Sequence, residues 1–161
     1  MISENGDDVP DGVAGELLVK SPTLFGGYWN RPDATAAAFR DGWFATGDIA
    51  ERSADGYFTL CGRRSDLIIS GGFNVYPREI EEVLAAHPSV AEVAVAGVSD
   101  RLKGEVPVAF VVLTAGAPAE GAMLVDYCAA RLASFKVPRE VRFLDALPRN
   151  AMGKVEKKRL V

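Results

Sequence analysis

Glycine occurs along the whole chain and limits what the chain can fold into. Sixteen of the 161 residues are glycine, and they cut the sequence into short apolar runs. Glycine destabilises helix interiors and permits turns that need a positive φ angle. The longest strongly apolar run, residues 106–113, is strand-sized and contains Pro107, so no transmembrane segment is predicted. The sequence therefore predicts short elements joined by turns.

Composition and charge exclude several classes of protein. The chain is 48% hydrophobic and 25% charged, which is the balance of a globular domain rather than of a disordered segment. Its net charge of -4 argues against a nucleic-acid-binding protein. Basic residues nevertheless gather near the end of the chain, at Lys154, Lys157, Lys158 and Arg159. Of these, residues 157–159 are expected to be a solvated tail.

Cysteine and histidine are scarce. Cys61 and Cys128 lie far apart and belong to no CxxC pair, so we expect reduced thiols and a cytoplasmic location. The first eleven residues are acidic and glycine-rich, unlike a secretory signal. The single histidine, His87, stands between an apolar helical pattern and a proline, which indicates a helix end rather than a catalytic base. No metal site is expected.

The first 62 residues show mainly strand and turn patterns. Asp55-Gly56, between two β-rich runs, is typical of a hairpin turn. The predicted elements are a strand at 15–20, a helix at 33–40, a strand or loop at 42–48, and hairpin strands at 49–52 and 57–60.

After a polar connector at residues 62–66, strands alternate with helices. Pro77 favours the start of a helix with Ile80, Val83 and Leu84 on its apolar face. The other predicted elements are strands at 67–69, 73–76, 90–98, 108–113 and 141–144, and a helix that contains Leu124, Tyr127, Cys128 and Leu132. The sequence therefore predicts an α+β fold with about three helices and a domain boundary near the connector.

Six segments, taken together and in order, span Gly15 to Lys154. They are GELLVKSP, GGYWNRPDAT, DGWFATGD, GRRSDLIISGGFNVYPREIEE, FKVP and PRNAMGK. Their ordered combination resembles the C-terminal part of the adenylate-forming, or AMP-binding, enzymes. That family includes acyl-CoA synthetases, the adenylation domains of peptide synthetases, and luciferases. The segment GGFNVYPREIEE is closer in character to fatty-acyl- and malonyl-CoA synthetases than to peptide-synthetase domains.

The resemblance implies both an architecture and a reaction. Residues 1–62 are expected to be the end of a large domain, a distorted antiparallel β unit. Residues 63–161 are expected to be the mobile C-terminal domain, with a short hairpin followed by a small mixed sheet and about three helices. The family's phosphate loop and acyl pocket do not occur in this sequence. We therefore expect a C-terminal portion that needs the N-terminal large domain and is inactive alone.

The reaction that the resemblance implies is an ATP-dependent acid-thiol ligation. A carboxylate attacks the α-phosphorus of ATP and gives an acyl-adenylate and pyrophosphate, after which the thiol of CoA displaces AMP. Mg²⁺ would be held mainly by the part of the enzyme that is missing from this sequence. Two alternatives stay open: an adenylation module that loads a carrier protein, and a non-catalytic, truncated binding domain.

Three charged residues match functional positions of the family. Asp48 ends Thr46-Gly47-Asp48, and its two acceptor oxygens suit the hydroxyls of a ribose. Arg63 offers a guanidinium for ribose or phosphate oxygens of ATP or AMP. Lys154 is the implied catalytic residue, because an ammonium can contact both carboxylate and phosphate and stabilise the charge of the transition state. Without the resemblance, Asp48 would be an acid in a hairpin corner, Arg63 a solvated hinge residue and Lys154 one more lysine in a basic tail.

The resemblance also implies a hinge for domain movement and a segment that binds CoA. Ser65 and Asp66 are the expected hinge, where the family usually places Asp or Lys two positions after the connector arginine. Gly71, Gly72 and Phe73 are implied to line the tunnel for the pantetheine arm of CoA. The geometry of an ordinary turn would also be an adequate explanation for the two glycines.

Overall fold

The computed structural model describes residues 1–3, 5–118 and 120–161. This part of the chain divides into two compact units, Met1–Ser65 and Asp66–Val161. The expected boundary, between residues 62 and 63, lies in the same polar connector. Across the described residues, three α-helices and nine strands are present, which confirms the α+β class. None of the helices described is long and apolar enough to cross a membrane.

The first unit is an antiparallel sheet built around one long strand, β3 (Trp43–Arg52), with which the three remaining strands all pair. Its register shifts between Glu16 and Leu18 and again between Ile49 and Ala50, and such bulges bend and twist a sheet. This is the distorted β unit that the sequence predicts. The elements are β1 (Gly15–Val19), α1 (Pro32–Ala38), β2 (Phe39–Arg40), β3 (Trp43–Arg52) and β4 (Phe58–Arg63).

Two element boundaries in this unit differ from the sequence prediction. β3 continues through Asp48, because β1 and β4 both pair with the residues that follow it. The helix ends at Ala38 because Phe39 and Arg40 pair with the start of β3 instead. The hairpin at Asp55-Gly56 is confirmed, with Gly56 at a φ of +88° and its N–H donating to the Ser53 carbonyl over 2.9 Å.

The second unit is built on a five-stranded sheet of order β6-β5-β8-β7, with β9 pairing in parallel with β8. The mixed sheet is as predicted, although the first hairpin is part of the sheet and not separate from it. α1 lies in the first unit, so this unit holds two of the three helices described. The elements are β5 (Ile68–Ser70), β6 (Phe73–Val75), α2 (Pro77–Ala85), β7 (Val90–Asp100), β8 (Gly104–Leu113), α3 (Gly121–Ala129) and β9 (Val141–Phe143).

The sheet of the second unit buries both of its faces, because successive side chains of a strand point to opposite sides. One face packs against α2 and α3 through residues such as Val95, Ala109 and Val111, which meet Ile80, Leu84, Leu124 and Cys128. The opposite face carries Ala94, Ala96, Val108 and Phe110, and Leu147, Val155 and Leu160 of the final segment cover it. The segment that contains Lys154 therefore lies across the sheet.

Candidate functional site

Asp48 and Arg63 face each other on neighbouring strands. They are direct register partners in β3 and β4, and Arg63 Nε lies 2.9 Å from Asp48 Oδ1. The Asp48 side chain is 29% exposed, so it is accessible to a ligand as well as to its partner. The sheet thus brings together the two residues that the sequence assigned to nucleotide binding.

The residues before Asp48 lock this pair in place. Thr46 Oγ1 donates to the Leu17 carbonyl over 2.8 Å and accepts the Asp48 N–H over 3.0 Å. Arg63 Nη1 donates to the Thr46 carbonyl over 2.9 Å. Gly47 between them has a φ of +73°, a conformation that favours glycine. The backbone of Thr46-Gly47-Asp48 therefore departs from regular strand geometry within β3, and hydrogen bonds hold it in that conformation.

Sequence reasoning missed a second acidic site in the same unit. Glu16, on β1, is only 6% exposed, and its carboxylate lies 3.1 Å from Arg64 Nη1 and 3.8 Å from Arg40 Nη2. A buried carboxylate needs such partners, because desolvation of an isolated charge is costly. The partners are 24 and 48 residues away in sequence, so only the unusual glutamate within an apolar strand could have signalled them.

The expected hinge residues lie where the two units divide. Arg64–Asp66 form a short 3-10 helix, and the division falls between Ser65 and Asp66. Asp66 opens the second unit, and its carboxylate lies 4.0 Å from the ammonium of Lys157.

Gly71 and Gly72 form the turn between β5 and β6. Their φ angles are +57° and +85°, and Ser70 and Phe73 pair directly across the turn. Two successive left-handed residues are the signature of a tight hairpin, and glycine adopts them without strain. A Cβ on Gly72 would meet no atom within 4 Å, so the requirement for glycine there is conformational.

Phe73, the next residue, stands on an aromatic support. Its ring is 54% exposed and stacks on Phe135, with centroids 4.6 Å apart and planes at 20°. Lys136 then donates to both carboxylate oxygens of Glu79 over 2.8 and 2.6 Å. These contacts connect the hairpin turn to the segment 134–136 and to the start of α2.

Lys154 is at the end of a small, well-bonded loop. Asn150 Oδ1 accepts the N–H groups of Met152 and Lys154, each over 3.0 Å, and the Asn150 N–H donates to the Lys154 carbonyl over 2.9 Å. Gly153 has a φ of +80°. The Lys154 side chain is exposed and makes no ion pair or hydrogen bond within the described residues. The loop backbone is thus fixed, while the ammonium stays free for a ligand.

The expectation that residues 157–159 form a solvated tail is wrong for Lys157. Its side chain is only 25% exposed, and Nζ lies 2.7 Å from Glu81 Oε1. Arg159 pairs with Glu156, while Lys158 is exposed. Lys157 turns inward because the 3-10 helix of residues 157–159 packs against β7.

The described residues hold no group of three or more His, Cys, Asp or Glu side chains arranged to bind a metal ion. Burial raises the pKa of the Cys128 thiol to about 11, an effect that nearby Arg131 partly opposes. That thiol is therefore an unreactive core residue. His87 Nδ1 accepts the Ser89 N–H over 3.2 Å, just after α2.

Comparison with known proteins gives these residues a family context. The family model described as AMP-binding enzyme C-terminal domain matches residues 79–154, which end at Lys154. The 2-succinylbenzoate–CoA ligase of Geobacillus kaustophilus is 50% identical over 99% of this chain and 33% of its own length. The long-chain-fatty-acid–CoA ligase of Bacillus subtilis is 46% identical over 91% of this chain and 26% of its own length.

Solved structures agree. The o-succinylbenzoate CoA synthetase of Bacillus subtilis, in complex with its acyl-adenylate intermediate, superposes with a TM-score of 0.93 at 43% identity. That match covers 99% of this chain and 32% of the synthetase. The chain contains the AMP-binding enzyme C-terminal domain.

The chain aligns with the C-terminal part of acyl-CoA ligases and spans a quarter to a third of the length of the relatives named. Relatives of similar identity act on acids as different as 2-succinylbenzoate and long-chain fatty acids. High similarity in this part of an AMP-binding enzyme is therefore compatible with different acyl substrates. The family model begins at Glu79, so Asp48, Arg63, the hinge and the glycine turn all lie before the matched residues.

Proposed function

We propose that this chain is the C-terminal part of an ATP-dependent acyl-CoA ligase, with the end of the large AMP-binding domain at residues 1–62 and the mobile domain at 63–161. The observation that carries the proposal is the Lys154 loop, because it presents an unpaired ammonium from a fixed backbone. In the first half-reaction, a carboxylate and the α-phosphate must approach each other. A cation between them offsets their repulsion and stabilises the transition state.

Asp48 and Arg63 are proposed to hold the nucleotide. Asp48 would accept hydrogen bonds from the ribose hydroxyls, and Arg63 would keep its carboxylate in place while offering donors to ribose or phosphate oxygens. Because both residues sit on paired strands, this site is ready before ATP arrives. Preformed dipoles and charges need no reorganisation during the reaction.

The second half-reaction is proposed to use the β5–β6 turn. Gly71 and Gly72 carry no side chains, so the pantetheine arm of CoA can pass close to the backbone, beside the ring of Phe73. Ser65 and Asp66 would be the hinge about which the second unit turns between the two half-reactions. The Mg²⁺ of ATP is proposed to be held mainly by the part of the ligase that lies outside this sequence.

The proposal is tested with the full ligase that carries this chain. Pyrophosphate release is measured over a panel of aromatic and fatty carboxylic acids with ATP, and acyl-CoA is identified by mass spectrometry after CoA is added. We expect release with at least one acid, conversion to its CoA thioester, and a loss of about 100-fold or more in Lys154→Ala. The neighbouring exposed Lys158→Ala is the matched control. Full activity of Lys154→Ala, or transfer only to a carrier-protein thiol, would contradict the proposal.

A further inference from the structure

The final segment of the chain is anchored on both sides of Lys154 by buried apolar residues. Leu147 lies before it, and Val155 and Leu160 lie after it, all against the same face of the sheet. This burial determines the path of the segment across β7 and β8. Between these anchors, polar contacts at two points hold the loop in position on the sheet.

The first point is an ion pair at the start of the loop. Arg149 contacts Glu92 on β7 and also donates to the Gly153 carbonyl over 2.8 Å. One guanidinium thus joins the sheet to the glycine that precedes Lys154. Both charges of the ion pair are largely solvated, with side chains 44% and 43% exposed.

The second point is more buried and follows Lys154 by three residues. Glu81 Oε1 accepts Lys157 Nζ over 2.7 Å and the N–H of Val95 over 2.8 Å. The two side chains are only 25% and 23% exposed. Glu81 therefore joins three elements, namely its own helix α2, the strand β7 and the final segment. A partly buried, hydrogen-bonded pair restricts geometry more than a surface pair does.

Lys157 also lies near the start of the unit. Its ammonium is 4.0 Å from the carboxylate of Asp66, the first residue after the unit boundary. The final segment is thus held by charges both to α2 and to the beginning of the unit. Lys157 has two acidic neighbours, whereas Lys158, the next residue, is exposed.

We propose that Lys157, held by Glu81, is a positioning residue for Lys154. It fixes the register of the final segment on the sheet, and therefore the position from which the Lys154 ammonium reaches a ligand. This inference rests on the proposed function of Lys154 in acyl-adenylate formation. A displacement of about 1 Å in a catalytic group can cost about 100-fold in rate, so a small slip of the segment is sufficient to matter.

The first experiment separates positioning from folding. In the full ligase, Lys157→Met keeps the apolar stem and removes the charge. We expect acyl-adenylate formation to fall about tenfold or more, while CoA transfer from supplied acyl-adenylate stays within about twofold. Lys157→Arg should restore adenylation, since it keeps the donor to Glu81. Lys158→Met is the matched control without effect. Equal loss of both half-reactions, or unchanged adenylation, would overturn the proposal.

The second experiment asks whether Lys157 acts through Lys154. Adding Lys157→Met to Lys154→Ala should cause no further loss of adenylation, because the group being positioned is already gone. A further loss by the same factor as in the unmodified enzyme would contradict the inference. If Lys154→Ala alone retains full adenylation, the proposed function fails, and that result is distinct from an effect of Lys157.

A third variant gives a readout that does not depend on activity. Glu81→Gln keeps an oxygen for the Val95 N–H and removes the charge that holds Lys157. In the full ligase, amide hydrogen exchange at Met152 and Lys154, whose N–H groups bond Asn150, should become at least about threefold faster. Unchanged exchange in this variant would show that the ion pair does not hold the loop.

Discussion

The Asp48–Arg63 pair and the Lys154 loop use charge in opposite ways. In the first unit, two opposite charges lie 2.9 Å apart on paired strands and balance each other before any ligand binds. In the second unit, several hydrogen bonds hold the backbone around Lys154, yet its ammonium has no partner among the described residues. We propose that the two regions have different roles. The preformed pair binds ATP, which is common to all substrates, and the free ammonium of Lys154 stabilises the transition state.

The largest effect outside Lys154 is expected at the preformed pair. Asp48→Ala in the full ligase removes the proposed acceptor for the ribose hydroxyls and leaves Arg63 without its carboxylate partner. A hydrogen bond to a charged group contributes about 1.5–3 kcal/mol, so the KM for ATP should rise about 10- to 100-fold.

The control for Asp48→Ala is its effect on stability. An ion pair that is open to solvent on one side contributes about 1 kcal/mol or less, so the free energy of unfolding should change little. If Asp48→Ala loses ATP affinity only because the first unit unfolds, the pair has a structural role and is not a preformed binding site.

A smaller effect is expected at the aromatic support of the glycine turn. Phe135→Leu removes the ring that stacks on Phe73. Since such a stack contributes about 0.5–1.5 kcal/mol, CoA transfer from acyl-adenylate should slow about two- to tenfold while adenylation is unchanged. Phe143→Leu, which makes the same change at an exposed ring on β9, is the control. A larger effect on adenylation than on transfer would contradict the assignment of the β5–β6 turn to CoA transfer.

The smallest effect concerns a charge that is fully paired. Asp100 accepts the N–H groups of Leu102 and Lys103 over 2.9 and 3.0 Å, and these bonds, with help from Arg139, hold its pKa below the usual range. A carboxyl whose pKa is lower in the folded state stabilises the fold above its unfolded pKa and loses that contribution as pH falls through its folded pKa.

Urea unfolding of the 161-residue chain and of Asp100→Asn is monitored by circular dichroism at several pH values from 7 to 2.5, and the midpoints are compared. We expect the variant to be less stable at pH 7, with the difference shrinking below about pH 4. Lys154→Ala should match the unmodified chain at every pH. A pH-independent difference for Asp100→Asn would mean that the carboxylate charge is not what stabilises the turn.

Local sequence signals predicted much of the fold. Asp55-Gly56 marked a real hairpin, Pro77 marks the start of α2, and two successive glycines marked the β5–β6 turn. The misplaced boundaries have a common cause, because β3 passes through Asp48 and α1 ends at Ala38 where distant residues offer strand partners. Pairing of this kind cannot be read from local propensity.

The site was predicted less completely than the fold. The resemblance pointed to Asp48 and Arg63, and the structure places them side by side. The contacts of Lys157 were missed because Glu81 is 76 residues away in sequence, and those of Glu16 because Arg64 is 48 residues away. In a run of basic residues, each lysine looks solvated until the fold shows which one turns inward.

We propose that the free ammonium of Lys154 serves acyl-adenylate formation and not the later transfer. The most direct test of this proposal is to measure both half-reactions on one preparation of Lys154→Ala, with Lys158→Ala beside it. We expect pyrophosphate release to fall about 100-fold or more, while CoA transfer from supplied acyl-adenylate stays within about twofold of the unmodified ligase. Equal loss of the two half-reactions, or loss of CoA transfer alone, would contradict it.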